Sequence, residues 1–261
     1  MDQALAEAWE KYREGEFRGA VRLFEGVVDK LDTSDPRHLK ALYGLATTHA
    51  LRRPDPNREM ATVLHRQVIA SDLEGDLAAW SLLALARMKH LVSVGQTPDY
   101  NEAREAYQEV IDRFPDHRAS HEAFLYQQST YVVDMDLQST AATLERLKIF
   151  IDSHPDSPYL SLLWALRSTC CETLGRPDEW LEAEIMAWET AELDPMNPLQ
   201  DFAWNTWRIA TIAEFEVGDF ESAKTYYTRL VQEYPEDIRV HAAKAGLKRM
   251  EEMAQRIRKG E

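Results

Sequence analysis

Prolines recur in this chain at a fixed distance. Four of them, each at the end of an apolar run, are separated by 40 residues, namely Pro115, Pro155, Pro195 and Pro235. Because proline ends a helix and sets the start of the next segment, this spacing predicts a structural repeat. Pro36 and Gly75 continue the same phase to within one residue. The chain of 261 residues therefore divides into about six units and a terminal segment.

Within the units, apolar residues are spaced by three and four, which is the period of a helix with one buried face. Such a stripe occurs in the first, third and last units, at Phe17, Ala20, Phe24, Val27 and Val28, at Tyr100, Ala103, Tyr107, Val110 and Ile111, and at Phe220, Ala223, Tyr227, Leu230 and Val231. Short breaks such as Gly15-Glu16 and Gly218-Asp219 precede two of the stripes. Each unit is therefore predicted to be a helix, a turn and a second helix, giving about thirteen helices and no sheet.

The order of residue types in these stripes resembles the tetratricopeptide repeat. In the last unit, Trp207 and Ala210 are followed at the family's spacing by Gly218, Ala223 and Tyr227. The first and third units show a similar order, whereas the second, fourth and fifth depart from it, with Ala61 and His65, Thr143 and Leu147, and Ala183 and Ala187 at the small and aromatic positions. The unit of 40 residues exceeds the family's usual length of about 34. This lengthening resembles repeat scaffolds of the bacterial envelope and also occurs in cytoplasmic helical-repeat proteins.

The resemblance implies an all-α, right-handed superhelical solenoid that forms one domain over residues 1–261. The expected boundaries are 1–35, 36–75, 76–115, 116–155, 156–195 and 196–235, followed by a capping helix at 236–259. In that cap, the apolar residues Ala242, Ala245, Leu247 and Met250 are expected to face inward. Solenoids of this kind bind partners on a concave surface, which the resemblance assigns to the first helix of each unit.

The register of the first helices predicts a set of peptide-binding residues on that concave surface. They are Trp9, Tyr12, Leu85, Met88, Arg208, Ile212 and Phe215. Such a surface suits the apolar or aromatic anchors of a helix or an extended peptide. Equally, some of these side chains could pack between neighbouring units. The lysines and asparagines that clamp a carboxylate terminus in peptide-binding members of the family do not stand at the corresponding positions.

Five of the seven tryptophans lie between residues 164 and 207. Tryptophan is favoured in binding hot spots because it buries a large area at low entropy cost. Trp180, Trp188 and Trp207 stand at positions typical of the repeat core. Trp164 and Trp204 are therefore the two that we expect to be exposed.

The charge balance restricts the class of partner. Thirty Lys and Arg against 45 Asp and Glu give a net charge of −15, which argues against nucleic-acid binding and favours a basic partner through long-range steering. No apolar run is long enough to insert in a membrane. The two cysteines, Cys170 and Cys171, cannot form a disulfide framework and are predicted core residues, which suits a cytoplasmic location, or a periplasmic one if a leader peptide precedes the sequence.

No arrangement of residues predicts catalysis, a cofactor or a bound metal. His117 and His121 stand four apart beside Glu122 but lack a third ligand, and Asp134 and Asp136 fit a helix-connecting turn. The sequence therefore predicts a non-catalytic scaffold or adaptor that binds a protein or peptide on its concave face. The alternatives are an accessory subunit of an enzyme, secretion or envelope-assembly complex, a homo-oligomeric scaffold, and a hydrolase without a recognisable motif.

Overall fold

A computed structural model describes residues 1–52, 56–192 and 200–259, with side chains to Arg256 in the last helix. Thirteen α-helices and one π-helical segment occur in these ranges, and no strand does. The elements are α1 (Asp2–Arg13), α2 (Phe17–Val28), α3 (Pro36–Leu51), α4 (Arg58–Ser71), α5 (Asp76–His90), α6 (Tyr100–Arg113), α7 (Arg118–Tyr131), α8 (Leu137–Ser153), α9 (Leu160–Thr173), α10 (Pro177–Glu189), α11 (Phe202–Thr211), the π segment (Ile212–Val217), α12 (Phe220–Glu233) and α13 (Val240–Lys259). The predicted all-α helical-repeat fold is confirmed.

The repeating prolines mark the helix ends as predicted. The helices α6, α8 and α12 end two residues before Pro115, Pro155 and Pro235, respectively, and Pro36 opens α3. Pro195 lies outside the described residues. The helix starts are fixed by acidic or amide side chains that accept a hydrogen bond from the first turn. These capping residues are Asp35, Asn57, Asp99, Asp136, Asp201 and Asp219.

The tight turns between paired helices need a residue in the left-handed region. Gly15, Gly175 and Gly218 hold this place in three of the pairs, with φ angles of +78°, +65° and +79°. Glycine has no Cβ, so it adopts this conformation without a steric penalty. In the turn between α7 and α8 the same role falls to Met135, whose φ is +51°.

The helices group into two compact units, residues 1–130 and 131–261. In the first unit, each helix from α1 to α5 packs on the next one, and the first helices of successive pairs also meet, α1 with α3 and α3 with α5. No comparable packing joins α2, α4 and α6 in the described part of this unit. Its cores are built from small residues that allow close helix approach, such as Ala41, and from aromatic residues such as Phe24 and Tyr107.

The second unit has its own core, which includes Leu181, Ile209 and Tyr227, and α13 covers one side of α12. In α13, Met250 is buried as predicted, but Ala242 and Ala245 are exposed. The predicted inward face of α13 was therefore partly wrong: Val240, Ala243 and Gly246 are buried instead, because Gly246 is the residue that approaches the Tyr227 ring. None of the described helices has the length and apolar character needed to cross a membrane.

Candidate functional site

Residues of α9, α10, α11 and the π segment line an open groove of about 250 Å³ in the second unit. We call it the aromatic groove. Its lining consists of three tryptophans, one phenylalanine and a few polar or aliphatic side chains, namely Glu172, Trp180, Trp204, Trp207, Arg208, Thr211, Ile212, Phe215 and Glu216. Three of the predicted peptide-binding residues, Arg208, Ile212 and Phe215, therefore lie together here.

Arg208 is fixed in the wall of the aromatic groove. Its Nη2 lies 3.1 Å from Oε2 of Glu172, and its Nε lies 3.0 Å from Oε1 of Glu184. Its guanidinium carbon is 5.7 Å from the centre of the Trp180 ring, within the range of a cation–π contact. Carboxylates from α9 and α10 thus balance the charge of a side chain from α11. As a result, Arg208 shapes the groove without leaving a net positive charge in it.

Two aromatic rings of the groove are exposed. Trp204 is 41% exposed and Phe215 is 64% exposed. The Trp204 ring stacks on Trp207 at a centroid distance of 5.4 Å. Arg239 lies 5.6 Å from the Trp204 ring and Arg249 lies 5.5 Å from the Phe215 ring. Tryptophan and arginine are both enriched among the residues that contribute most to binding energy at protein interfaces.

The π segment holds Phe215 outward because its neighbour Glu214 is anchored inward. The Tyr227 hydroxyl donates a 2.8 Å hydrogen bond to Oε2 of Glu214, and Arg249 donates to both oxygens of the same carboxylate at 2.9 Å. Burial and the nearby Glu214 raise the pKa of Tyr227, so the phenol keeps its proton. Nothing in the residue pattern distinguishes this segment from an ordinary helix, so the sequence did not predict it.

The exposure of two other residues bears on the sequence predictions. Ile212 lines the groove but is only 3% exposed and belongs to the core, so it supports the groove from beneath. The expected exposure of Trp164 is wrong, because this residue is 7% exposed and packs under the Arg167 guanidinium at 4.6 Å. The exposure of Trp204 is as predicted.

The remaining predicted binding residues lie in the first unit. Trp9 and Tyr12 are half-buried on α1, where the Trp9 ring is 5.1 Å from Phe24 and the Tyr12 ring is 5.7 Å from Phe17. Burial raises the pKa of Tyr12. Both rings thus pack on α2 of their own repeat. The Trp9 ring also lies 6.4 Å from that of Tyr43 on α3, which is the packing between neighbouring repeats that the sequence left open. Leu85 and Met88 line a different cleft, between α4, α5 and α6.

The candidate metal ligand His117 and the two cysteines have structural surroundings that do not point to chemistry. Nε2 of His117 lies 2.9 Å from Oδ1 of Asp76. Cys170 and Cys171 are buried, and burial raises the pKa of their thiols to about 12 and about 11, so both are protonated at neutral pH. Within the described ranges no group of three or more His, Cys, Asp or Glu residues is placed to hold a metal ion.

The paired helices, the left-handed turns and the helix-ending prolines define a helical-repeat protein. Sequence profiles described as tetratricopeptide repeat match residues 5–56, 78–117 and 207–237. These three ranges are therefore tetratricopeptide repeats, in keeping with the helical-repeat fold. The matched ranges include the first, third and last units, which are the three whose residues resemble the family most.

Two solved structures are similar along almost the whole chain. One is PilW, described as a widely conserved type IV pilus biogenesis factor, with 15% identity, 92% of this chain and 96% of that chain covered, and a TM-score of 0.56. The other is an assembly chaperone of RpL4, Acl4, with 15% identity, 98% of both chains covered and a TM-score of 0.50. At this level of identity the similarity shows the fold alone. No curated protein matches the sequence.

Proposed function

We propose that this chain is a non-catalytic scaffold that binds a segment of another protein, and that the aromatic groove is a main contact site. The observation that supports this most directly is the exposure of Trp204 and Phe215 beside the charge-balanced Arg208. Exposed aromatic rings in a concave site gain free energy when a partner removes them from water. The tetratricopeptide-repeat fold supports a role in protein interaction.

The groove favours a partner with an aromatic or long aliphatic anchor. Its floor contains Trp180 and Trp207, and its one guanidinium is paired with Glu172 and Glu184, so an apolar side chain meets little competing charge. At the rim, Glu216 is exposed, and the chain carries a net charge of −15. We therefore expect basic residues next to the anchor in the bound segment.

A peptide library displayed on phage and selected on the immobilised intact chain tests this proposal. The affinity of the selected peptides is then measured by calorimetry for the chain and for two variants, Trp204→Ala and Phe215→Ala. Loss of an exposed anchor contact should weaken binding by about tenfold or more in each variant. The matched control is Ile149→Ala, which truncates an exposed apolar residue of α8 that does not line the groove.

Two results would contradict the proposal. Peptides that bind the Trp204→Ala and Phe215→Ala variants as tightly as the control would move the site away from the groove. Peptides without an aromatic or aliphatic anchor would remove the chemical argument. The charge argument is tested separately, because raising the salt concentration should slow association of a basic peptide more than it speeds dissociation.

A further inference from the structure

We infer that the first unit carries a second binding site, which takes an acidic protein segment with aliphatic anchors. The site is the cleft of about 470 Å³ between α4, α5 and α6. We call it the basic cleft. It lies in a different unit from the aromatic groove and shares no residue with it, so the two proposals can fail separately.

The cleft exists because of the way the helices of the first unit pack. The second helices α4 and α6 both contact α5 but do not pack closely on each other. A strip of α5 is therefore left uncovered between them. Leu85 and Met88 lie along this strip, and Ile69 of α4 and the buried Leu82 also line the cleft. These side chains give the cleft an aliphatic floor that can hold an apolar anchor.

Four cationic side chains surround this floor, and two of them have no carboxylate partner in the described part of the chain. Arg58 and Arg66 stand two turns apart on the same face of α4. Nη1 of Arg58 donates to the carbonyl oxygen of Met88 at 2.9 Å, and Nη2 donates to that of Leu91. These acceptors are neutral, so the positive charge of Arg58 is retained. Arg66 is exposed and forms no ion pair in the same part of the chain.

The other two cations, Lys89 and Arg113, each form an ion pair with a carboxylate. Nζ of Lys89 lies 2.9 Å from Oε1 of Glu102, and Nη1 of Arg113 lies 3.6 Å from Oε1 of Glu109. Of these two acids only Glu109 lines the cleft, so four cations and one carboxylate face the space. In a chain whose net charge is −15, this is a local reversal of sign. Distant carboxylates are screened over about 8 Å at physiological salt, so a ligand in the cleft is influenced mainly by these cations.

The lining distinguishes an acidic protein segment from a nucleic acid. No aromatic side chain lines the cleft, so it offers no surface on which a base could stack. A long polyanion would also meet the negative charge of the rest of the chain. A short segment that places one or two leucine-like side chains on the aliphatic floor and carboxylates near Arg58 and Arg66 satisfies both parts of the cleft.

The probe for this inference is a fluorescein-labelled peptide with blocked ends and the sequence EELLEE, titrated with the intact chain and followed by fluorescence anisotropy. We expect saturable binding that the Arg66→Glu variant weakens by about tenfold. The matched control is Arg22→Glu, which makes the same charge change at an exposed residue of α2 and should leave binding within about twofold. The Leu85→Gln variant should also weaken binding, because it places an amide on the aliphatic floor. Thermal unfolding followed by circular dichroism shows which variants keep the fold.

Several results would overturn the inference. Absence of saturable binding at millimolar protein would do so, as would equal affinity in the Arg66→Glu and Arg22→Glu variants. Tighter binding of the basic peptide KKLLKK would reverse the predicted charge of the ligand. If an oligouridine binds more tightly than the peptide, and its binding is lost in the Arg66→Glu variant, the cleft would be assigned to phosphate ligands. A dimer in sedimentation that disappears in Arg66→Glu would assign it to a second copy of the chain.

Discussion

Nδ1 of His65 lies 3.1 Å from the hydroxyl oxygen of Ser81, and neither side chain has any exposed surface. His65 occupies a position at which the repeat pattern has a large aromatic residue, so the first unit has a titratable ring in its interior. Its Nε2 has no hydrogen-bond partner in the described part of the chain. Burial lowers the pKa of His65 from 6.5 to about 4, which means that the folded chain favours the neutral ring.

This lowered pKa makes stability depend on pH. Above about pH 6.5 the ring is neutral in both states, whereas below it only the unfolded chain gains the proton, so stability falls as the pH falls toward 4. The expected loss between about pH 7.5 and about pH 5 is on the order of 2 kcal/mol. Urea unfolding at the two pH values measures it. Burial also lowers the pKa of His49 and of His90, so a control variant is needed. The His65→Gln variant should lose clearly less free energy of unfolding between the two pH values than the unchanged chain. An equal loss in the two proteins would mean that other groups cause the pH dependence.

Met135 provides a second prediction, because it holds a left-handed conformation with φ +51° while its side chain is 65% exposed. The left-handed conformation destabilises a residue with a Cβ by about 1–2 kcal/mol. Glycine avoids this strain, but its greater freedom in the unfolded chain destabilises the fold by about 0.5–1 kcal/mol. Met135→Gly should therefore raise the free energy of unfolding by about 0.5–1 kcal/mol. Met135→Val should lower it, since β-branched residues tolerate this conformation poorly. Chemical denaturation that orders the two variants the other way would refute the argument.

Most of the fold could be predicted from the sequence because the ends and turns of the repeat are marked by residue types with strong backbone preferences. Pro115, Pro155 and Pro235 mark where helices end, and Gly15 and Gly218 mark turns that few other residues can form. The superhelical hand, the single-domain organisation and the concave face depend on how successive units are rotated. They stay predictions, as do the cytoplasmic location and self-association.

The sites were predicted less completely, because exposure depends on tertiary packing that periodicity does not report. Arg208 and Phe215 were identified from the register, but Trp164 was expected at the surface and lies beneath Arg167. The cations of the basic cleft come from three helices, and only their packing brings them together. The spacing of Arg58, Thr62 and Arg66 on one face of α4 is the signal that could have indicated them.

The different exposure of Ile212 and Phe215 gives a third prediction. Ile212→Ala removes methyl groups from the core of the second unit and should lower the free energy of unfolding by about 2–4 kcal/mol. Phe215 is largely exposed, so Phe215→Ala should change stability by less than about 1 kcal/mol. Urea unfolding of both variants tests this. Similar losses would mean that Phe215 is more deeply packed than described and would make it unsuitable as a test of the aromatic groove.

A fourth prediction concerns α13, which covers α12 with Val240, Ala243 and Met250. Removal of residues 238–261 should expose the apolar side of α12, because a terminal repeat without its cap presents core residues to water. We expect a lower midpoint of thermal unfolding and more self-association than in the full chain, measured by circular dichroism and light scattering. A truncated chain that matches the full chain in both would show that α13 is not a cap.

Three helical glycines allow a matched test of packing in the two units. A Cβ at Gly44 would overlap the Phe24 ring, and a Cβ at Gly246 would lie 2.7 Å from Cε2 of Tyr227, whereas a Cβ at Gly26 would meet nothing within 4 Å. Gly44→Ala and Gly246→Ala should each lower the free energy of unfolding by about 1–3 kcal/mol, since overpacking forces neighbouring rings to move. Gly26→Ala should raise it by about 0.5–1 kcal/mol, the usual gain when alanine replaces glycine inside a helix.

Chemical unfolding of the three glycine variants, followed by circular dichroism, also tests the single-domain prediction. Gly44 lies in the first unit and Gly246 in the second. If residues 1–261 unfold as one cooperative domain, both substitutions shift the same transition by amounts that reflect their overlap. Two transitions, with Gly44→Ala moving only one and Gly246→Ala only the other, would show that the units unfold separately. A loss of stability in Gly26→Ala would refute the claim that overlap of the added Cβ decides the sign of the change, because a Cβ at Gly26 meets no atom within 4 Å.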